Sequence, residues 1–417
     1  MRQNRIMRAS RPVLAALGVA GMLLTTAAPA AAVPGAQLPR AQSPGADCRP
    51  PPVRSEVARP WAQQLLAPER AWELTRGQGV LVGVIDSGVD ASIPQLAGGV
   101  LVGHDVHSPG GGPANTDCLG HGTFVAGIIA ARQLPGIGFS GVAPDAQVLP
   151  IRDTQSTDGG SAHTMAEGIR TAVNSGAKVI NISESTYYDD QELRGAIEFA
   201  QSRDVLVVAA VANGAQEGNP IPYPASYPNV LAVGAVDSSG ARASFSQTGD
   251  FLSLVAPGVD VMSLGPGGPG HWQDSGTSFA TPFVTGTAAL VRSYHPELDA
   301  QQVKNRLQAT ATRPGVTVPD PQMGWGTVNP YSAVTAVLPE EGGATGGGTP
   351  AGRAVHPDIP VDNPVPMRVV TLSIAGVVLL VIAAALVTRL GPAGHRRRWR
   401  RSRVVKVVDG PQETASN

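Results

Sequence analysis

Three short segments of this chain carry residue types that can break a peptide bond when brought together. The first, Val84-Ile85-Asp86-Ser87-Gly88-Val89-Asp90, sets a carboxylate after an apolar run and before a glycine turn. The second, Gly120-His121-Gly122-Thr123-Phe124-Val125-Ala126-Gly127, starts a run of small residues with a histidine. The third, Asp274-Ser275-Gly276-Thr277-Ser278-Phe279-Ala280-Thr281-Pro282, puts a serine at the entrance to a helix-like stretch. Amide hydrolysis needs a nucleophile, a base to take its proton, a group to orient that base, and donors for the developing oxyanion. A serine hydroxyl is a poor nucleophile until an imidazole accepts its proton, and a carboxylate on the far ring nitrogen fixes the productive tautomer. Any one of these residues alone is usually a turn, cap or packing residue. All three, in the order acid, histidine, serine and each flanked by glycine, point to nucleophilic catalysis.

Elements able to position them are legible on either side. Apolar runs at 80–86, 147–152, 178–183, 205–211, 230–236 and 252–257 read as strands, and helical periodicity fits 121–131, 162–174, 190–202, 277–294 and 299–309. Short, continuously apolar strands interleaved with helices predict an α/β fold: a mostly parallel sheet covered on both faces. Active sites in such folds gather at the carboxyl ends of the strands, where Asp86 is expected to sit.

The three segments resemble the signature blocks of the subtilisin-like serine peptidases, and the acid-histidine-serine order separates that family from the chymotrypsin type. The resemblance extends over about 260 residues and includes Tyr223-Pro224-Ala225, Phe245-Ser246 and Ala256-Pro257-Gly258. It implies the subtilisin-like three-layer fold, with Ser278 as nucleophile, His121 as general base and then acid, and Asp86 as orienting carboxylate. It also implies that Asn213 supplies a side-chain oxyanion donor and that Ser183, Glu184 and Ala212 border the substrate cleft. Two departures stand out. Glycine is expected where Ala212 stands, and a small, glycine-rich run where Glu184-Ser185-Thr186 follows Ser183. Glu184, if it faces the cleft, would favour a basic residue in the substrate; otherwise it is a solvated surface acid. The remaining histidines show no spacing for zinc, so no metal and no cofactor is expected.

The chain of 417 residues is 42% hydrophobic, enough for one large core, while 50 glycines and 37 prolines announce many turns and a linker. A net charge of −1 conceals basic ends and an acidic middle, where 30 acidic residues face 18 basic ones. Such a middle argues against a nucleic-acid partner. Residues 1–32 read as a signal peptide: Arg2, Arg5, Arg8 and Arg11, then an apolar stretch, then small residues that permit cleavage after Ala30 or Ala32. Residues 33–60 form an N-terminal extension and 61–339 the peptidase domain. The Gly/Pro-rich stretch 340–367 reads as a linker with ends about 30 Å apart as a coil. An apolar run at 368–388 is long enough for a single transmembrane helix, and the arginine-rich 389–417 then forms a cytoplasmic tail.

Only two cysteines exist, Cys48 and Cys118, and export to an oxidising compartment favours a bridge between them. Because Cys118 lies three residues before His121, that bridge is expected to pin the proline-rich segment 49–60 across the catalytic face. Too few residues precede Trp61 for the independent prodomain that many secreted subtilases carry. The short extension, the membrane span and the basic tail together resemble the mycosins, membrane-anchored proteases of type VII secretion systems. That resemblance implies protein or peptide substrates, a cell-membrane location with the peptidase domain outside the cytoplasm, and contact with the secretion membrane complex. The alternative is a chiefly structural subunit that stabilises this complex, with proteolysis secondary.

Overall fold

The computed structural model describes residues 48–156 and 160–341. The signal peptide, the linker, the transmembrane helix and the basic tail expected from the sequence lie outside the described residues. No helix among those described is long and apolar enough to cross a membrane.

In chain order the elements are α1 (Trp61–Leu66), β1 (Leu81–Asp86), β2 (His104–Asp105), α2 (His121–Ala130), β3 (Gln147–Arg152), α3 (Ala162–Asn174), β4 (Val179–Ile182), α4 (Gln191–Ser202), β5 (Leu206–Ala210), β6 (Val230–Val236), β7 (Leu252–Pro257), β8 (Val261–Leu264), β9 (His271–Asp274), α5 (Thr277–Tyr294), α6 (Ala300–Ala309) and α7 (Pro330–Thr335). Among the described residues β1 to β7 form one sheet in the order β2-β3-β1-β4-β5-β6-β7, and every pairing in it is parallel. The strands are buried along almost their whole length, which explains why their sequences are continuously apolar rather than alternating. β8 and β9 make a separate antiparallel hairpin.

Two apolar clusters sandwich the sheet. One packs α2 and α5 against it through Phe124, Ile128, Phe283 and Leu290; the other packs α3 and α4 through Met165, Ile169, Leu193 and Ile197. α3 is amphipathic and starts at a capping box in which Ser161 and Thr164 satisfy each other's backbone N–H. α5 differs: Thr277 through Arg292 are all buried, as befits a helix apolar on every side at the centre of a domain.

The strand order places the site. From β1 the chain crosses to β3 on one side, then returns past β1 to β4 on the other. β1 is therefore the point where the winding reverses, and a crevice opens beyond its carboxyl end. Asp86 is the last residue of that strand.

Candidate active site

Asp86 is 1% exposed and accepts the backbone N–H of Ser87 at 2.8 Å. His121, the first residue of α2, brings Nδ1 to 2.8 Å and 2.9 Å from the two Asp86 oxygens. An ionised carboxylate can only accept, so Nδ1 carries a proton and Nε2 is the ring nitrogen left free to exchange one. The close approach depends on Gly122, where a Cβ would fall 2.1 Å from the Gly88 carbonyl. Phe279 stacks obliquely against the imidazole at 5.1 Å between ring centres and fixes its other side.

His121 is drawn toward its charged form. Burial works against the charge, but the adjacent Asp86 charge and hydrogen bond, followed by Glu184 and Asp117, prevail and raise the pKa from 6.5 to about 9.

Ser278, the second residue of α5, is 9% exposed and lines the same cavity, of about 330 Å³, as Asp86, His121, Ser183, Glu184 and Asn213. Its hydroxyl lies 3.0 Å, and the Asn213 Nδ2 3.5 Å, from the point where a Cβ on Gly276 would stand. Glycine at 276 therefore keeps open the gap between hydroxyl and amide. Asn213 accepts from the Thr277 backbone N–H at 2.9 Å and from its hydroxyl at 3.0 Å, both on Oδ1. With the amide oxygen held this way, Nδ2 is the end presented to the gap. The first turn of α5 adds backbone N–H groups and the positive end of a helix dipole.

The other cleft residues fall as follows. Ala212 has φ 65°, the left-handed region in which a side chain is strained, and this is why glycine is the expected residue there. Ser183 borders the cavity, but its hydroxyl is turned inward and donates to the Ser278 carbonyl at 2.9 Å. Glu184 reaches the cavity wall and accepts the Gly160 N–H at 2.5 Å. Burial first, then the Asp86 charge, pushes Glu184 up to about 7. Thr186 pairs by two backbone hydrogen bonds of 2.8 Å with Tyr223, so the run that departs from the glycine-rich pattern is held in an extended edge of the cleft.

Several positioning residues escaped the sequence reading. Asp117 accepts from the Ser87 hydroxyl, from the Gly120 and Thr123 backbone N–H groups and from the Thr123 hydroxyl, all within 3.0 Å. Through these bonds it ties the end of β1 to the start of α2. On the far side Thr285 donates to Asn181 at 2.9 Å, and Asn181 donates to the Ser183 hydroxyl at 2.9 Å, which anchors Ser278. This buried chain fastens α5 to the end of β4.

Cys48 and Cys118 form the expected disulfide. The segment 49–60 does not cross the catalytic face as expected. Among the described residues of the extension only Arg49 lines the cavity, where it pairs with Asp274 at 3.3 Å and lies over the Trp272 ring at 4.0 Å. The chain then runs beside the β8–β9 hairpin: His271 N–H donates to the Arg54 carbonyl at 2.9 Å, and Glu56 N–H donates to His271 Nδ1 at 3.0 Å. The hairpin offers extended backbone and a ring nitrogen, and the proline-rich segment satisfies its own polar groups there. Among the described residues no group of three or more His, Cys, Asp or Glu could hold a metal ion.

Residues 77–326 match the subtilase family. Subtilisin DY of Bacillus licheniformis is 42% identical over 58% of this chain and 86% of its own length. Mycosin-1 of Mycolicibacterium smegmatis is 34% identical over 68% of this chain and 74% of its own. Among solved structures, MycP1 from the ESX-1 type VII secretion system superposes with a TM-score of 0.63 at 32% identity, covering 70% of this chain and 90% of that one. The MycP3 protease of the ESX-3 system gives 0.61 at 34% identity, over 69% and 92%. The chain accordingly belongs to the subtilase family of serine endopeptidases, within its mycosin branch.

Proposed function

We propose that the chain is a membrane-anchored, extracytoplasmic endopeptidase that cleaves protein substrates at Ser278 in association with a type VII secretion complex. The observation that carries the chemical part is the Asp86–His121 hydrogen-bonded pair opening onto a cavity shared by Ser278 and Asn213.

The Ser278 hydroxyl adds to the scissile carbonyl while its proton passes to His121 Nε2. The imidazolium so formed is held by Asp86, whose influence already favours the charged ring. Negative charge moves onto the former carbonyl oxygen, where Asn213 Nδ2 and the N-terminal turn of α5 supply preorganised donors. The C–N bond then breaks, His121 returns its proton to the departing amine, and an acyl ester remains on Ser278. Water, deprotonated in turn by His121, hydrolyses that ester and restores the hydroxyl. No other group needs to supply redox or Lewis-acid chemistry for these steps.

The location rests on the signal-like residues 1–32, the apolar run 368–388 and the arginines that follow it. The link to type VII secretion rests on the likeness to MycP1 and MycP3. Ser278→Ala in the full chain is expected to abolish both labelling by a fluorophosphonate and processing of secreted proteins. Labelling that persists in this variant would refute the assignment of the nucleophile. Secretion that survives Ser278→Ala but fails on deletion of the chain would reassign its main role to scaffolding.

A further inference from the structure

We infer that Glu184 and Asp153 form a subsite for a basic side chain of the substrate, in which the cation takes the place of a proton that the two carboxyls otherwise share. The inference deepens the reading of the cleft as the peptidase site and rests on it.

Asp153 follows directly on β3, and its backbone N–H donates to the Asp86 carbonyl at 3.1 Å. Its side chain is 0% exposed, and neither carboxylate oxygen meets an N–H or O–H donor of the protein. An ionised carboxylate left so would cost several kcal/mol. Burial first, then the charge of the neighbouring Glu184 carboxyl, holds the Asp153 pKa well above the ordinary carboxylate value. A Cβ on Gly160 would fall 2.4 Å from Asp153 Oδ2 and 2.9 Å from Glu184 Oε2, so the two carboxyls crowd the same side of that glycine. Two carboxyls brought this close are not both ionised unless a cation joins them.

No arginine or lysine among the described residues serves this pair. Arg152 points away, to Asp105 at 3.1 Å and to the carbonyls of Ser87, Pro113 and Thr116. Arg49, which also lines the cavity, is committed to Asp274 and Trp272. The other titratable groups facing the pair are Asp86 from the end of β1 and His121 from α2, with Asp117 acting on the same histidine. Glu184 brings this pair of acids to the wall of the cavity that holds Ser278. An arginine or lysine of an extended substrate supplies the missing positive charge, and the displaced proton goes to solvent.

The test measures kcat/KM for peptides that carry arginine or norleucine at successive positions before the scissile bond, and reads the ratio of the two. At one position the ratio is expected to be about tenfold or more at about pH 8, the scale of a hydrogen bond to a charged group. It should fall toward unity as the pH drops through about 7, where Glu184 gains its proton. Changes in His121 affect both peptides and cancel in the ratio. Glu184→Gln is expected to bring the ratio to about one. Asp153→Asn, which keeps a donor toward Glu184 without a titrating proton, is expected to retain the preference. A wild-type ratio near unity at every position and pH, or one that Glu184→Gln leaves unchanged, overturns the subsite. Loss of every cleavage together with fluorophosphonate labelling in the wild type would instead overturn the peptidase assignment beneath it.

Discussion

Replacing Asn213 by alanine tests the arrangement of the crevice most sharply. The side chain has two separable jobs. Its Oδ1 accepts both the backbone N–H and the hydroxyl of Thr277, which is 1% exposed, and its Nδ2 faces the gap beside Ser278. Removing the Nδ2 donor is expected to cost about 3 to 4 kcal/mol in the transition state, a loss of roughly 10²–10³ in kcat. Because the substrate carbonyl carries little charge in the ground state, KM should change far less. Removing Oδ1 leaves the Thr277 N–H without its partner, which should cost about 1 to 3 kcal/mol of folding stability. The assay is steady-state hydrolysis of a chromogenic peptide, with active enzyme counted by fluorophosphonate titration and stability followed by thermal unfolding. Asn213→Asp keeps the acceptors for Thr277 while replacing the donor with a carboxylate oxygen that also repels the oxyanion, so it should lose at least as much kcat with less loss of stability. A fall in kcat of less than tenfold in both variants, or a loss confined to KM, would refute the assignment of Asn213.

Other outcomes follow from the same geometry. A general base must be unprotonated, and His121 is raised to about 9, so kcat/KM should climb with pH well beyond the ordinary histidine value of 6.5. Asp86→Asn should move that limb downward and reduce the rate by about 10⁴; a pH–rate profile of both proteins checks this. Cys48→Ser with Cys118→Ser should lower the unfolding free energy by about 4 kcal/mol, since the bridge spans 70 residues, as measured by denaturant titration. Ala212→Gly should relieve left-handed strain and raise stability by up to about 1 kcal/mol, read from the unfolding midpoint.

The main elements were legible because each has one dominant local cause. β3, β6 and β7, and the helices α3 and α5, have the limits expected from apolar runs and helical period, for parallel strands buried on both faces leave no polar interruptions. β2 has only two residues and β9 is polar, His271–Asp274; both exist because of a neighbouring strand rather than their own pattern. The grouping of Asp86, His121 and Ser278 around one cavity was legible for a similar reason, since each sits in a motif with local signs. Asp117, Asn181 and Thr285 were not, because their role lies in bonds to side chains elsewhere, up to 104 residues away, which no periodicity records. Asp153 was hidden more deeply, because nothing local marks it as buried and the Arg152 beside it is turned to Asp105. The path of residues 49–60 also depended on a partner, the β8–β9 hairpin, that the sequence did not announce.

The reversal of winding at β1 has a consequence for biosynthesis. Asp86 and His121 precede Ser278 by well over a hundred residues in the chain, and Ser278 reaches the crevice only with α5 buried against the sheet. A polypeptide that stops short of Thr277 therefore lacks both the Ser278 hydroxyl and the helix end beside it, and the proposed chemistry has no nucleophile until that helix is in place. Hydrolytic power arrives last, as a property of the finished molecule.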